Sequence, residues 1–203
     1  MGHFQGGRTY MGNAWANLPW SSLLFSLTLL TRAIAQDTNV YPVEPATRLE
    51  SFATNTDTIV IRGSADIGVV NANAGTIVLK CREVSEAGNG RKEVGISVDL
   101  NHNELRETRY IDFDELEPLI NALAYLNKVD WSITSLNSFD AAITTRSGLR
   151  ASAFSSRRSA AIEFAVRTAG SGNPPILVSR EQLAEFRGLL EQAKTKLDGI
   201  RSK

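Results

Sequence analysis

The chain has 203 residues, of which 42% are hydrophobic and 22% charged, and this composition excludes a fibrous or wholly disordered protein. Twenty-two basic residues balance twenty-two acidic ones, so no overall charge draws the molecule to nucleic acid or to an anionic membrane. A single cysteine excludes an internal disulfide, so stability must come from the hydrophobic core.

The N-terminal segment is typical of a secretion signal. Residues 1–35 contain no Asp or Glu, and an apolar run over 20–30 is followed by Ala33-Ile34-Ala35. This pattern predicts a signal peptide over 1–35 with cleavage after Ala35. The apolar run spans about eleven residues, whereas crossing a bilayer takes about twenty, so no permanent membrane span is expected after cleavage. An uncleaved anchor or an organelle-targeting peptide stays open as an alternative, as does a true start at Met11.

Residues 36–55 are predicted to be a linker, because Pro42 and Pro45 disfavour helix and the apolar residues follow no period. The folded domain is then expected over residues 56–203. Its first part contains short β-type runs separated by Gly and Asn turn signals, including Gly63-Ser64. These predicted strands cover residues 58–62, 67–71, 75–84, 93–100 and 108–111, with an exposed hairpin loop over 85–91.

An amphipathic helix is predicted over residues 112–128, with Asp112 and Glu115 as its capping box. Strands are expected next over 138–145, 149–154, 160–167 and 176–178. A second helix follows over 179–200, with Ser179 and Gln182 as its capping box. The predicted fold class is therefore α+β: antiparallel β-meanders packed on two amphipathic helices.

The strand-to-helix step at residues 111–116 has the same pattern as the step at 178–183. Each has an apolar strand end, an N-cap, two polar residues, an acid or amide, and a core Leu. The chain is therefore predicted to contain two repeated sheet-then-helix units, at 58–130 and 131–200. The alternative is that any capped amphipathic helix after a strand has this pattern.

The step from Pro174 to Leu183 also resembles that of the Whirly and transcriptional coactivator p15 group of single-stranded-DNA binders. A strand meander ending in one helix, twice in one chain, is similar in outline to that group. The resemblance covers about a tenth of the chain and implies single-strand binding, but it assigns no binding residue.

The sequence has few of the side chains that common catalytic mechanisms require. Once residues 1–35 are removed, His102 is the only histidine, which disfavours a His-based metal site or a hydrolase triad. Cys81 keeps step with Ile77 and Leu79 on the inward face of a predicted strand, so it is expected to be a small buried hydrophobe. No cofactor, metal or catalytic residue is predicted.

Acidic residues cluster at the start of the first predicted helix, where negative charge complements the helix dipole: Asp112, Asp114, Glu115 and Glu117. Capping is therefore the favoured interpretation. A hydrolase that uses carboxylates alone, such as a glycosidase, would need two acids about 5–10 Å apart in a cleft.

The second half is locally basic, because only two acids, Asp140 and Glu163, lie between residues 131 and 178. Its five arginines are predicted to be a polyanion-binding set: Arg146, Arg150, Arg157, Arg158 and Arg167. Phenylalanines at 139, 154 and 164 are interleaved with them, and exposed rings beside arginines hold single-stranded nucleic acid. The alternative is a solvated arginine face above core phenylalanines, and the period of Phe164 favours it.

These observations predict an exported, non-enzymatic domain that binds a protein or ligand outside the cytoplasm or has a structural role. Single-stranded nucleic-acid or polyanion binding is the first alternative, and export would disfavour it by placing the protein away from chromosomal DNA. The carboxylate-only hydrolase is the second alternative.

Overall fold

The computed structural model describes residues 45–88, 90–156 and 160–202 and confirms the α+β class. The predicted signal peptide and residues 36–44 lie outside this part of the chain. A short helix, α1 (Arg48–Ala53), precedes the first sheet, and one 3-10 turn covers Trp131–Ile133. The other elements are β1 (Val60–Ala72), β2 (Gly75–Glu86), β3 (Lys92–His102), β4 (Leu105–Asp112), α2 (Phe113–Leu126), β5 (Asp140–Thr144), β6 (Leu149–Ser156), β7 (Ala161–Thr168), β8 (Ile176–Val178) and α3 (Arg180–Arg201).

Each sheet is an antiparallel meander whose strands are neighbours in chain order. The first sheet has the order β1-β2-β3-β4 and leads into α2, and the second has the order β5-β6-β7-β8 and leads into α3. Antiparallel neighbours need only short connections, which is why the turn signals located most of these strands. The element order thus occurs twice, while a duplicated sequence unit stays a prediction.

One hydrophobic core joins both sheets and both long helices. The first sheet contributes Leu79 and Ile96, the second contributes Val166, and the helices contribute Leu123 and Phe186. Although α3 follows the second sheet, it lies against β1 and β2 of the first. Because the helices cover the inward faces of the sheets, the opposite face of the second sheet is turned to solvent. No helix in the described ranges is both long and apolar enough to cross a bilayer.

The predicted linker over 36–55 is wrong at its C-terminal end, where α1 forms. Thr47 is the N-cap of α1, and its hydroxyl accepts a hydrogen bond from the Glu50 backbone N–H at 3.1 Å. Leu49 and Phe52 are buried in a second, smaller core with Val84. A helix of six residues shows its buried face at only two positions, so it has too few turns to produce a visible period.

The predicted turn at Gly63-Ser64 is also wrong, because β1 is one strand from Val60 to Ala72. It pairs with β2 along this length, and the chain bends at a bulge between Asp66 and Gly68 instead. The hairpin loop predicted over 85–91 is shorter than expected, since β2 extends to Glu86.

The two predicted capping boxes have different outcomes. In α3 the Ser179 hydroxyl accepts from the Gln182 N–H, and the Gln182 side chain accepts from the Ser179 N–H, which confirms the prediction. In α2 the box is wrong, because the Asp112 side chain makes no capping hydrogen bond and is turned toward α1.

Candidate functional site

The outward face of the second sheet carries the candidate site. Side chains alternate between the two faces of a strand, so β6 directs Leu149, Ala151 and Ala153 into the core. The same alternation turns Arg150 and Ser152 away from it. An arginine and an aromatic ring therefore share the outward face of β6, since Phe154 follows at the same period.

A groove of about 370 Å³ lies on this face. Its floor is made of small residues, because Ser152 of β6 pairs with Ala165 of β7 and neither fills the space above the sheet. The groove is lined by Phe139, Asp140, Arg150, Ser152, Phe154, Ser155, Ala165, Arg167 and Pro175.

Two of the five predicted arginines meet at the groove. Arg150 and Arg167 stand directly opposite each other on β6 and β7, an arrangement in which like charges repel. Asp140 compensates one of them, with its Oδ2 atom 2.7 Å from Nη2 of Arg150. Within the described ranges, the exposed Arg167 guanidinium has no hydrogen-bond or ion-pair partner. The lining side chains therefore carry two positive charges and one negative charge.

Ser152 places a hydroxyl group in the groove floor. The residue is only 6% exposed, and its hydroxyl has no hydrogen-bond partner among the residues that the structure describes. The Ser152 Oγ atom is not among the fully buried polar atoms that lack a partner, so it reaches solvent in the groove, where a ligand could replace the water. The groove thus offers an unused donor and acceptor beside the two arginines.

Aromatic rings bound the groove next to this hydroxyl. Phe154 is half-buried and is two residues after Ser152 on the same face of β6. Phe139 is fixed by a hydrogen bond from its backbone N–H to Oγ of Ser155 at 2.9 Å and by an edge contact with Trp131, the ring centroids being 5.9 Å apart. Phe164, by contrast, is buried in the core as its period predicts.

Arg146 lies away from the groove and is not available to a polyanion. Its guanidinium is 3.1 Å from Oδ2 of Asp112, 2.8 Å from Oδ2 of Asp114 and 3.5 Å from Oε2 of Glu115. The hydrogen bond to Asp114 raises the pKa of Arg146 despite partial burial. Arg157 and Arg158 lie outside the described residues. The structure therefore brings together Arg150 and Arg167 but not Arg146.

The acidic cluster is a structural centre. The Asp112 carboxylate accepts hydrogen bonds from the backbone N–H groups of Arg48 and Leu49, both at 3.0 Å, and so satisfies the N-terminus of α1. Glu117 lies at the other end of the cluster and pairs with Lys194 at 3.3 Å. Each acid of the cluster thus has a cationic partner, which leaves no free pair of carboxylates here.

Cys81 is buried, as its period predicts, and its Sγ is 3.7 Å from the Ala193 carbonyl oxygen. Burial raises the pKa of this thiol, so it stays protonated and is a poor nucleophile. In the described part of the chain, no three His, Cys, Asp or Glu side chains group in a way that could hold a metal ion.

Sequence reasoning missed Ser152 and the pairing of Asp140 with Arg150. The alternation of β6 carries the signal for Ser152, since it falls between Arg150 and Phe154 on the polar face. The Asp140 contact depends on the register of β5 against β6, which no local pattern specifies.

No protein-family model, curated protein or solved structure matches this chain. A fold does not by itself determine a function, which depends on the side chains of the site.

Proposed function

We propose that this protein is an exported, non-catalytic binding module that holds a small anionic ligand in the groove of its second sheet. One observation carries the proposal: Arg150 and Arg167 face each other beside the hydroxyl of Ser152, which has no hydrogen-bond partner in the described part of the chain. An anion between the two guanidinium groups would offset their repulsion and accept the hydroxyl's hydrogen bond.

The size of the groove supports a small ligand. Its volume of about 370 Å³ falls at the lower end of the range of roughly 300–1,000 Å³ for small-molecule sites. A polyanion needs a row of cations along its backbone, but the described part of this face offers two arginines, one of them shared with Asp140. The groove therefore supports a single anion better than a nucleic-acid strand.

The non-catalytic character is supported by the side chains around the groove. Its lining contains a single carboxylate, Asp140, and that group is engaged by Arg150. Neither the buried Cys81 nor the cluster at Asp112 lines the groove. A carboxylate-only hydrolase needs a second acid in the same cleft, so this arrangement favours binding over hydrolysis.

Acetate tests the proposal because it is a monoanionic carboxylate whose only other group is a methyl, so its binding depends mainly on the charge. Titration of the full chain, followed by backbone amide NMR, is expected to show saturable shifts at residues 150, 152, 165 and 167, with a dissociation constant on the order of millimolar. Arg167→Gln should abolish the shifts. Arg62→Gln, which removes an exposed strand arginine of the other sheet, is the control and should leave them unchanged. Chemical-shift changes that are the same in the unaltered chain and in Arg167→Gln would overturn the proposal.

An oligothymidylate tests the polyanion alternative. A strand that contacted six to ten cations would lose about 10³–10⁵-fold in affinity between 50 and 200 mM salt. We expect no oligothymidylate binding with such a slope. Tight, steeply salt-dependent binding would replace the small-anion proposal with the nucleic-acid one.

Export is proposed from the sequence of residues 1–35 and needs its own test. Fractionation of the native host followed by intact-mass analysis is expected to find a chain that begins at Gln36 outside the cytoplasm. A full-length chain in the cytoplasm would contradict export, while the groove proposal would stand or fall on the acetate titration.

A further inference from the structure

We infer that the natural ligand of the groove is a monoanion with a flat aromatic ring, of the aryl carboxylate class. This inference rests on the proposed function and specifies the chemistry of its ligand. It follows from three features of the lining: its charge, the geometry of its donors, and the rings at its edge.

The charge of the lining fits one negative charge. Arg150 and Arg167 contribute two positive charges, and Asp140 removes one at 2.7 Å from Arg150. A monoanion therefore neutralises the groove, whereas a dianion such as a phosphate monoester leaves an excess negative charge beside Asp140. Because like charges that are partly desolvated repel strongly, the groove selects against the dianion.

The donors fit a planar group. The Asp140 carboxylate already shows how a planar acid binds the Arg150 guanidinium from one side. The Arg167 guanidinium, which no other described residue engages, presents parallel N–H donors that match both oxygens of a second carboxylate. Ser152, in the floor between β6 and β7, supplies one more hydrogen bond.

Apart from Ser155, the remainder of the lining is apolar. Phe154 follows Ser152 on the outward face, and Phe139 and Pro175 complete the edge of the groove. The floor at Ala165 is 3% exposed and carries only a methyl group. A ring attached to the bound carboxylate would thus contact Phe154, and aromatic pairs add about 0.5–1.5 kcal/mol beyond their buried area.

Four probes separate these features in the full chain at about pH 7.5: acetate, benzoate, cyclohexanecarboxylate and phenyl phosphate. Benzoate is expected to bind about 2- to 10-fold more tightly than cyclohexanecarboxylate, because only a flat ring stacks on Phe154. Phenyl phosphate, which is a dianion at this pH, is expected to bind no more tightly than benzoate.

Two variants assign the effects to residues. Phe154→Leu should remove the difference between benzoate and cyclohexanecarboxylate while acetate binding persists, and Tyr125→Leu, which removes an exposed ring on α2, is the matched control. Should Phe154→Leu fail to fold, nuclear Overhauser contacts between benzoate protons and the Phe154 ring in the unaltered protein provide the same test.

The outcomes distinguish this inference from the function on which it rests. If acetate binds through Arg167 but benzoate has no advantage over cyclohexanecarboxylate, or if phenyl phosphate binds more tightly than benzoate, the ligand class is wrong and the anion site stands. If none of the four probes binds in a manner that depends on Arg167, both proposals fail together.

Discussion

Asp112 is a carboxylate that is 1% exposed and that three separate donors stabilise. Two are the backbone N–H groups that begin α1, and the third is Nη1 of Arg146. A buried charge is tolerated only when it is paired and hydrogen-bonded, and here both conditions hold.

Asp112→Asn is expected to lower the free energy of unfolding by about 2–4 kcal/mol, because the neutral amide cannot accept all three hydrogen bonds and leaves Arg146 partly uncompensated. Urea denaturation monitored by circular dichroism measures the change. Asp114→Asn, at a side chain that is 53% exposed, is the control and should cost only about 0.5 kcal/mol. Equal losses in both variants would contradict the central role of Asp112.

The contribution of Asp114 should depend on pH. Burial raises the pKa of its carboxyl, but hydrogen bonding by Arg146 and the charges of Arg48 and Arg146 outweigh this, so the folded pKa lies below the ordinary value of 3.8. Its stabilisation is therefore present above about pH 4 and is lost as the pH falls through the folded pKa. The difference in unfolding free energy between the unaltered chain and Asp114→Asn is expected to vanish in acid and to be constant near neutrality.

Gly95 permits the close approach of β3 and β4. A Cβ atom at this position would overlap the Ile111 carbonyl oxygen, which belongs to the backbone and cannot rotate away. Gly95→Ala is expected to lower the unfolding free energy by about 1–3 kcal/mol through strand displacement. Gly172→Ala, where no atom lies within 4 Å of the added carbon, should leave thermal denaturation nearly unchanged and is the matched control.

At the scale of elements, α1 is the least supported helix of the described chain. It packs on its own small cluster, which holds Leu49, Phe52 and Val84, and its N-terminus depends on Asp112. Removal of a buried Leu side chain costs about 2–5 kcal/mol. A helix of only six residues is not stable without its tertiary contacts, so this loss should unfold α1 alone.

Leu49→Ala is therefore expected to release α1 while the main core persists. Hydrogen exchange should accelerate at residues 48–53 far more than in α3, which lies in the larger core. Ser51→Ala, at an exposed position of the same helix, is the control. Uniform acceleration through the chain would show that α1 is part of the same cooperative unit.

The elements that sequence predicts well are those whose signal is local. The stripe of α3 and the alternation of β6 repeat over enough residues to identify both the element and its buried face. The short helix α1 and the contacts of Asp112 are different, because the partners of that carboxylate lie 34 and 64 positions away in the chain. Contacts of this kind depend on tertiary packing, and no pattern within one element indicates them.

In the candidate site, too, some features have a local sequence signal and others depend on tertiary packing. Period 2 indicates which arginines can share a face with Phe154, but it does not indicate that Asp112 engages Arg146 from another sheet. That the hydroxyl of Ser152 lacks a partner among the described residues also follows only from the neighbours of β6 in the folded protein.

At the scale of the whole molecule, the shared core predicts cooperative unfolding. Leu79 of the first sheet, Val166 of the second and Phe186 of α3 belong to one cluster, so neither half keeps a complete core without the other. Fluorescence of Trp131, the only tryptophan after residue 35, should give the same urea midpoint as far-ultraviolet circular dichroism, which reports on both sheets. Two distinct midpoints would show that the halves unfold independently.

The facing arginines of the groove lower the stability of the ligand-free protein. Like charges directly opposite each other lower stability by up to about 1 kcal/mol, so Arg167→Gln should raise the Tm of the ligand-free protein by about 1–3 °C while it removes binding. Selection for thermal tolerance alone would therefore favour loss of this arginine. If Arg167 is nevertheless retained when variants of the protein are selected at high temperature in the native host, ligand binding contributes to the fitness of that host.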